Sequence, residues 1–318
     1  MHYALLIAAL GSRKGLEMRV AIIGLGAIAQ KVYLPLLSSM EDIELLISTR
    51  NKKVLEEVSN KYKIDRAYNL LDNLLKEDFD AAIISTHADG HYEITKKLLN
   101  KGVNVYIDKP LTYNLKTSTE IAELAKKNNL IAMVGFNRRF CPKVRELKNK
   151  GKADIIIMEK NREYPPGDIR KFVVEDFIHV VDTLRFLMDE EVKRMDINFS
   201  KENNNLKNVV VTFKGDKTTA IGVMNRTAGI TEENIEYMVK GCKYVVEDLV
   251  DSFKISNKGR VKTTYGGWEN TLYKRGFVDL IDHFLTSVKE GKETNPSIED
   301  SIITHKLCEY IVNQINNN

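Results

Sequence analysis

The sequence predicts an α/β amino-terminal domain on a doubly wound parallel sheet, followed by an α+β domain on a mostly antiparallel open sheet. Up to about residue 137, short apolar runs alternate with helical segments, and this alternation is typical of a parallel sheet with helices on both faces. From about residue 152, strand-like runs follow one another, separated by turn signals such as KGDK (214–217) and SNKGR (256–260). Those runs indicate an antiparallel meander.

The composition indicates a globular protein of two domains. The chain has 318 residues, of which 43% are hydrophobic, and a net charge of +4 from 48 basic and 44 acidic residues. No apolar run approaches the ~20 residues that cross a bilayer, and the basic residues are scattered, so we expect neither a membrane nor a nucleic-acid partner. The three cysteines lack metal-ligand spacing, so we expect no metal site and reduced thiols in the cytoplasm: Cys141, Cys242 and Cys308.

The first strand and the turn after it carry the main motif, RVAIIGLGAIA at 19–29. Its frame is strand, GxGxxA, helix, with the helix predicted to reach about Met40. Gly24 permits the tight turn, Gly26 lets a pyrophosphate approach the backbone, and Ala29 lets helix and strand pack closely. The free amides at the helix start, with Ala27 and Ile28, then face the phosphates. The motif predicts a Rossmann dinucleotide site; the alternative is a purely structural turn.

The second strand, 43–48, ends where selectivity for the adenosine ribose is decided. An NAD site normally places Asp or Glu there, and none occurs at 48–51. Arg50 can instead pair with a 2′-phosphate, with Ser48, Thr49 and Asn51 as neutral donors. NADP(H) is therefore favoured, and NAD(H) stays possible. The alternative is that Arg50 is an ordinary solvated charge.

Polar residues follow three later strands of this domain, at 80–85, 103–107 and 131–136. The carboxyl ends of parallel strands border the ligand crevice, so we expect these residues near the cofactor or substrate. Those expected to contact the cofactor are Ser85, Thr86, His87, His91, Asp108 and Lys109, and Asn137 and Arg138 follow the last strand. Arg138 and its neighbour Arg139 are candidates for an anionic group, although one of two adjacent arginines is expected to be structural.

A helix predicted at 172–188 is apolar nearly all round, yet it carries Glu175, His179 and Asp182 at spacings of four and three. We expect this stripe to face a polar cavity, because buried polar groups need partners. The ordinary pKa of histidine, near 6.5, suits His179 to proton exchange, with a carboxylate orienting it. The alternative is a core histidine satisfied by Asp182.

These motifs together resemble the Gfo/Idh/MocA family of oxidoreductases, from Met18 to the C-terminus. The resemblance rests on GLGAIA (24–29), DKP (108–110) and EDFIHVVDTLRFL (175–187). Two segments, GFNRRF (135–140) and EDFIHVVDTLRFL, are most similar to the MviM-like branch of the family. It implies a nicotinamide-dependent enzyme acting on a sugar-like or polyol substrate, as a homodimer or homotetramer through the open face of the C-terminal sheet. The family usually has Glu where this chain has Asp108.

The resemblance also implies the catalytic residues. Lys109 would polarise the substrate oxygen, and Pro110 restricts the backbone before it. His179 would handle the proton, assisted by Glu175 or Asp176; relatives usually carry Asp four residues before the histidine, so the choice stays open. Asn137, Arg138 and Asp182 would contact substrate.

The motifs and the order of the elements divide the chain into three segments and predict one function. Residues 1–17 are expected to be an amino-terminal extension, 18–137 the dinucleotide-binding domain, and 138–318 the substrate-binding and oligomerisation domain, whose final helices are candidates for packing back on the first domain. The predicted function is hydride transfer between nicotinamide and a carbinol or carbonyl carbon. The alternative is an NADP(H)-binding regulatory or sensor protein without turnover.

Overall fold

The structure is a computed structural model that describes residues 18–317. The expected extension at 1–17 lies outside the described residues. The described chain forms two sheets, one in each half.

The first sheet has six strands in the order β3-β2-β1-β4-β5-β6, and every neighbouring pair is parallel. The strands are β1 (Met18–Ile23), β2 (Ile43–Ser48), β3 (Ala67–Tyr68), β4 (Ala81–Ile84), β5 (Asn104–Ile107) and β6 (Ala132–Val134). The strand order reverses between β1 and β4, which opens a crevice at their carboxyl ends. The doubly wound sheet is confirmed.

The helices of this half connect the strands. They are α1 (a π-helical turn at Ala29–Tyr33 continuing into Leu34–Leu37), α2 (Lys52–Tyr62), α3 (Leu71–Leu74), α4 (His91–Lys101) and α5 (Leu115–Lys127). α4 ends at Gly102, which has the left-handed φ of 86° that its sequence position predicts. α1 ends at Leu37, three residues before the predicted Met40.

The second sheet has eight strands in the order β14-β13-β12-β11-β7-β10-β9-β8. They are β7 (Ile155–Glu163), β8 (Arg194–Glu202), β9 (Asn205–Lys214), β10 (Thr219–Asn225), β11 (Thr227–Val239), β12 (Cys242–Glu247), β13 (Asp251–Ser256) and β14 (Gly259–Thr263). β7 lies between β11 and β10 and runs parallel to β10; all other neighbours are antiparallel. The mostly antiparallel sheet is confirmed, with β7 inserted into the predicted meander.

The helices of the second half cover one face of that sheet and reach back to the first. They are α6 (Pro142–Lys148), α7 (Ile169–Lys171, a π-helical turn at Phe172–Phe177, then Ile178–Met188), α8 (Thr271–Lys274), α9 (Phe277–Glu290) and α10 (Ile298–Asn316). α7 packs closely on β10, because a Cβ at Gly222 would lie 2.8 Å from Val180.

Both final helices contact the first half. Phe284 of α9 lies in one buried cluster with Tyr33 and Tyr106, and His305 of α10 accepts a 3.0 Å hydrogen bond from the Leu111 amide. The two final helices therefore join the second half of the chain to the first. Between Met18 and Asn317, no helix combines the length and apolar character needed to cross a membrane.

Candidate active site

The glycine turn after β1 is fixed to two neighbouring strands. Gly24 has φ +92°, and a Cβ there would lie 2.7 Å from the Thr86 backbone nitrogen, so only glycine fits. Its amide donates to the Ser48 carbonyl at 2.9 Å, and Ser85 Oγ donates to the Gly24 carbonyl at 2.7 Å. The turn is thus held between the ends of β2 and β4.

Gly26 is exposed, and a Cβ built on it would meet nothing within 4 Å. Ala27 beside it is also exposed, and Ile28 is half-buried. The turn therefore has open space above its backbone where α1 begins. The geometry fits a pyrophosphate, since backbone amides at such a turn are its usual ligands.

The end of β2 offers one free cation. Arg50 is exposed, and no carboxylate pairs with it among the described residues 18–317. The Ser48 side chain is buried, and Asn51 Oδ1 accepts from the Val54 amide as the N-cap of α2. Thr49, half-buried, donates its backbone amide to Tyr68 O at 3.2 Å. Arg50 is thus the side chain best placed to meet an anionic group here.

The ends of β4 and β5 are joined by His91, which is buried. Its Nδ1 lies 2.8 Å from the Pro110 carbonyl oxygen and its Nε2 lies 3.1 Å from the Thr86 carbonyl oxygen. The structure therefore places His91 beneath the crevice, where it supports both loops. Thr86 is half-buried and His87 is exposed, so these two form the accessible surface at this strand end.

Lys109 connects the first sheet to α7. It follows β5, precedes a cis peptide bond to Pro110, and its Nζ donates a 2.7 Å hydrogen bond to the Glu175 carbonyl oxygen. Burial lowers the pKa of Lys109, while the nearby carboxylates of Asp108 and Asp176 act to raise it. The ammonium is thus held at the junction of the two halves.

A buried polar group lies beneath Lys109. The hydroxyls of Tyr33 and Tyr106 are 3.2 Å apart, and Asp108 Oδ1 accepts from the Lys109 amide at 2.9 Å. Burial raises the pKa of Asp108, opposed by Lys109 and His91. Both tyrosines were missing from the sequence prediction, because nothing local distinguishes them from other core aromatics.

The three polar residues predicted to form one stripe on α7 contact three different partners. The backbone carbonyl of Glu175 accepts a hydrogen bond from Lys109, and the His179 ring contacts Arg138. Asp182 is buried, accepts two hydrogen bonds from Arg139 at 2.6 and 2.8 Å, and also accepts from Thr304. The π-helical turn at 172–177 explains part of this, because it changes the angular spacing that the stripe assumed. Asp182 thus lies in a buried ion pair.

His179 is buried with its ring against a guanidinium. Arg138 NH1 lies 2.9 Å from His179 Nδ1 and 3.3 Å from Nε2. Burial lowers the pKa of His179 well below its ordinary value, and the charges of Arg138, Lys109 and Lys160 lower it further. Both effects favour the neutral form of the imidazole. The same shift weakens the ring as a base.

Arg138 and Asn137 act on neighbours within the protein. Arg138 binds Glu233 through two hydrogen bonds of 2.7 and 2.8 Å, and its NH1 also donates to Asn137 Oδ1 at 2.9 Å. Burial alone would raise the pKa of Glu233, but Arg138 lowers it to about 2. Asn137 is buried and donates to the Arg275 carbonyl. These contacts fix the guanidinium against His179.

Comparisons with known proteins identify the family of the chain. The profile of the oxidoreductase family with an NAD-binding Rossmann fold (GFO_IDH_MocA) matches residues 18–136, and that of the YceM-like C-terminal domain matches residues 142–257. The Salmonella typhimurium protein YceM is 32% identical over 298 residues, which cover 92% of this chain and 96% of YceM. The chain belongs to the Gfo/Idh/MocA oxidoreductase family.

Solved members of the Gfo/Idh/MocA family have the same fold. An oxidoreductase from Vibrio cholerae is 29% identical with a TM-score of 0.89, covering 95% of this chain and 99% of its own. The dehydrogenase MviM from Clostridium difficile is 33% identical with a TM-score of 0.88, covering 93% and 99%. The resemblance to the MviM-like branch is thereby confirmed. Inositol 2-dehydrogenase 4 of Saccharopolyspora erythraea is 30% identical over 254 residues, 73% of each chain.

This Gfo/Idh/MocA chain has an acidic pair on α7, Glu175 and Asp176, whose two members lie in different environments. Glu175 is half-buried, and burial raises its pKa, opposed by Lys109. Asp176 accepts from Arg226 at 2.7 Å and lies 3.5 Å from Lys160 Nζ. Within residues 18–317, neither carboxylate has a hydrogen bond to His179.

Lys160 is the main residue that the sequence prediction missed. It lies on β7 with 1% of its surface exposed, and burial lowers its pKa to about 7, opposed by Asp176. A signal for it exists, because Lys160 follows Ile156 and Met158 at the period of two that marks the buried face of a strand. A lysine at such a position needs a partner, which here is Asp176 on α7.

Proposed function

We propose that this protein is an NADP(H)-preferring oxidoreductase that transfers a hydride between nicotinamide and a carbinol or carbonyl carbon of a sugar-like or polyol substrate. The observation that carries the proposal is the Lys109 Nζ–Glu175 O hydrogen bond of 2.7 Å. It brings the end of β5 against α7, one helical turn before His179. We infer that this donor and the imidazole of His179 border the crevice into which the glycine turn opens.

The chain's own residues supply the proton chemistry. When bound, the nicotinamide ring accepts or gives a hydride at C4. In oxidation, Lys109 donates a hydrogen bond to the substrate oxygen and stabilises negative charge on it. His179 takes the hydroxyl proton as the carbon loses its hydride and the C=O bond forms. In reduction, the protonated imidazole returns that proton to the oxygen.

Arg138 and Lys160 set the state in which His179 works. Their positive charges disfavour a protonated imidazole, so the resting ring is neutral and the protonated ring gives its proton up readily. Arg138 also fixes the ring edge, because Glu233 and Asn137 hold the guanidinium in place. In this scheme Glu175 and Asp176 partly offset the positive charges of Lys109 and Lys160.

The proposed cofactor preference rests on Arg50. It is exposed at the end of β2, and no acidic residue occurs at 48–51 to accept a ribose 2′-hydroxyl. A guanidinium at that point suits a 2′-phosphate. The substrate class is supported by the inositol 2-dehydrogenase among the relatives.

We also propose a homodimer or homotetramer through the open face of the second sheet. Ile157 and Ile221 are paired in register, half-buried, and directed away from the face that α7 covers. Light scattering on the purified chain tests this. A second copy covering this face predicts a dimer or larger species that Ile221→Lys converts to monomer, and a monomeric wild type would contradict it.

A turnover screen tests the function. Polyols and sugars are offered with NADP⁺ and with NAD⁺, and their keto forms with NADPH, while absorbance of the reduced nicotinamide is followed. We expect at least one substrate to turn over, faster with the phosphorylated cofactor. Tight NADPH binding without turnover on any of them would support instead a sensor that holds the nucleotide.

A further inference from the structure

We propose that the substrate carries an anionic oxygen group, a carboxylate or a phosphate, which binds beside Lys109 to Arg162 of β7, with the buried Lys160 beneath it. This inference rests on the proposed function, whose site it specifies further. A polyol without charge would fit Lys109 and His179 equally well. The cationic pair of Lys160 and Arg162 is the feature that favours a charged substrate over a neutral one.

The cationic side chains in this part of the structure outnumber the acidic ones. The cations that interact with Lys109, Lys160 or the acidic pair of α7, themselves included, are Lys109, Arg138, Lys160, Arg162 and Arg226, and the acids are Asp108, Glu175, Asp176 and Glu233. Two ion pairs are close, Arg138 with Glu233 and Arg226 with Asp176, both at 2.7 Å. Burial raises the pKa of both remaining acids and lowers the pKa of Lys109 and Lys160, so the positive charge that no close neighbour offsets is that of Arg162.

Arg162 is the cation best placed to bind a ligand. It lies two residues after Lys160, on the same face of β7, and it is half-buried. Its NH1 donates to the Asn161 carbonyl at 3.1 Å, and within residues 18–317 no carboxylate lies at ion-pair distance from it. Lys160 on this face lies 3.5 Å from Asp176 of α7, so this end of β7 lies against the helix of the candidate site. A guanidinium fork matches carboxylate and phosphate oxygens.

Lys109 and Lys160 lack a carboxylate of their own. Lys109 Nζ donates to a neutral backbone carbonyl, and Lys160 shares Asp176 with the closer Arg226, at 3.5 against 2.7 Å. A neutral substrate that expelled water would leave this positive charge uncompensated. An oxyanion would supply the missing counter-charge and favour the protonated form of Lys160.

The experiment is calorimetric titration of the NADP⁺-saturated protein with matched ligands. D-Glucitol is compared with D-gluconate, and D-glucose with D-glucuronate and with D-glucose 6-phosphate. We expect at least one anion to bind about tenfold tighter than its neutral partner, with carboxylate and phosphate sources separated by the two arms. At pH 7.5, two buffers of different ionisation enthalpy should show proton uptake, because the anion raises the pKa of Lys160 from about 7.

Three variants locate the effect. Arg162→Gln should bring anion and neutral partner to within about twofold of each other, and Arg162→Lys should restore part of the preference. Arg260→Gln removes an exposed arginine on β14 and is the matched control, with the preference unchanged. Wild-type protein that binds no anion tighter than its neutral partner would overturn the inference, whatever the variants do.

The inference and the proposed function fail differently. Turnover of neutral polyols, with anions bound no tighter, would leave the redox function standing and remove the anionic substrate. Tight anion binding that depends on Arg162, without turnover of any ligand, would leave the anion site standing and contradict the oxidoreductase.

Discussion

Lys109 Nζ donates a 2.7 Å hydrogen bond to the carbonyl oxygen of Glu175, and this contact joins the loop after β5 to the helix that carries the candidate base. Glu175 lies within the π-helical turn of α7, four residues before His179. The position of the ammonium thus depends on both halves of the chain. Its removal should affect chemistry much more than nucleotide binding.

Lys109→Met should lower kcat by about 10³-fold, because the substrate oxygen loses the cation that stabilises its developing charge. The dissociation constant for NADPH, measured by fluorescence titration, should change less than about threefold, since the glycine turn is untouched. Lys96→Met is the matched control, because Lys96 is exposed on α4 and contacts Tyr92. Near-normal kcat in Lys109→Met would remove Lys109 from the mechanism.

The two motif glycines should respond differently to alanine. At Gly24 a Cβ would lie 2.7 Å from the Thr86 nitrogen with φ at +92°, so Gly24→Ala should lose stability as well as nucleotide binding. At Gly26 nothing lies within 4 Å, so Gly26→Ala should fold with an unchanged melting temperature. Its NADPH affinity should still fall, by about tenfold or more, because the pyrophosphate approaches this backbone. Unchanged affinity in Gly26→Ala would contradict the site.

Arg50→Ala should reduce the preference for NADP⁺ over NAD⁺ by about tenfold or more, because the only cation at the end of β2 is lost from residues 48–51. The ratio of kcat/KM for the two cofactors is the measurement. Lys53→Ala, an exposed cation on α2, is the control. A ratio that stays constant in Arg50→Ala would indicate that Arg50 is an ordinary solvated charge.

Lys160→Met should stabilise the protein, most at low pH. The folded-state pKa of Lys160 is about 7, below its unfolded value, so the unfolded state binds more protons between about pH 7 and pH 10. Below about pH 7 the wild type therefore bears the full free-energy cost of burying the Lys160 ammonium, and this cost falls as the pH rises. The variant should melt about 5 °C higher at pH 6.5, with a gain that shrinks towards pH 10.

The matched control for that series is Lys207→Met, a lysine on β9 outside the site, for which no pH-dependent difference is expected. A Lys160→Met protein less stable than wild type at pH 6.5 would show that the attraction to Asp176 outweighs the burial of the ammonium.

The first sheet could be predicted well because its signals are local. Buried runs such as 81–84 and turns such as Gly24 and Gly102 specify strand and loop through their own residues. The candidate lysine and histidine were likewise identified from the residues around them. These motifs lie at strand ends and on an apolar helix, where a sequence pattern is informative.

The surroundings of His179 could not be predicted because they depend on long-range packing. Glu233 reaches Arg138 only through the register of β11 against β7, and Arg226 reaches Asp176 from the end of β10. The π-helical turn of α7 also changes which side chains share a face. Helical spacing alone therefore placed Asp182 beside His179, whereas the structure pairs it with Arg139.

The most direct test of the account is the crystal structure of the NADP⁺ complex, with distances measured from nicotinamide C4. We predict that Lys109 Nζ and the nearer ring nitrogen of His179 both lie within about 6 Å of C4, leaving room for one substrate carbon between them. A nicotinamide bound more than about 10 Å from either side chain would contradict the proposed mechanism and leave only the nucleotide site.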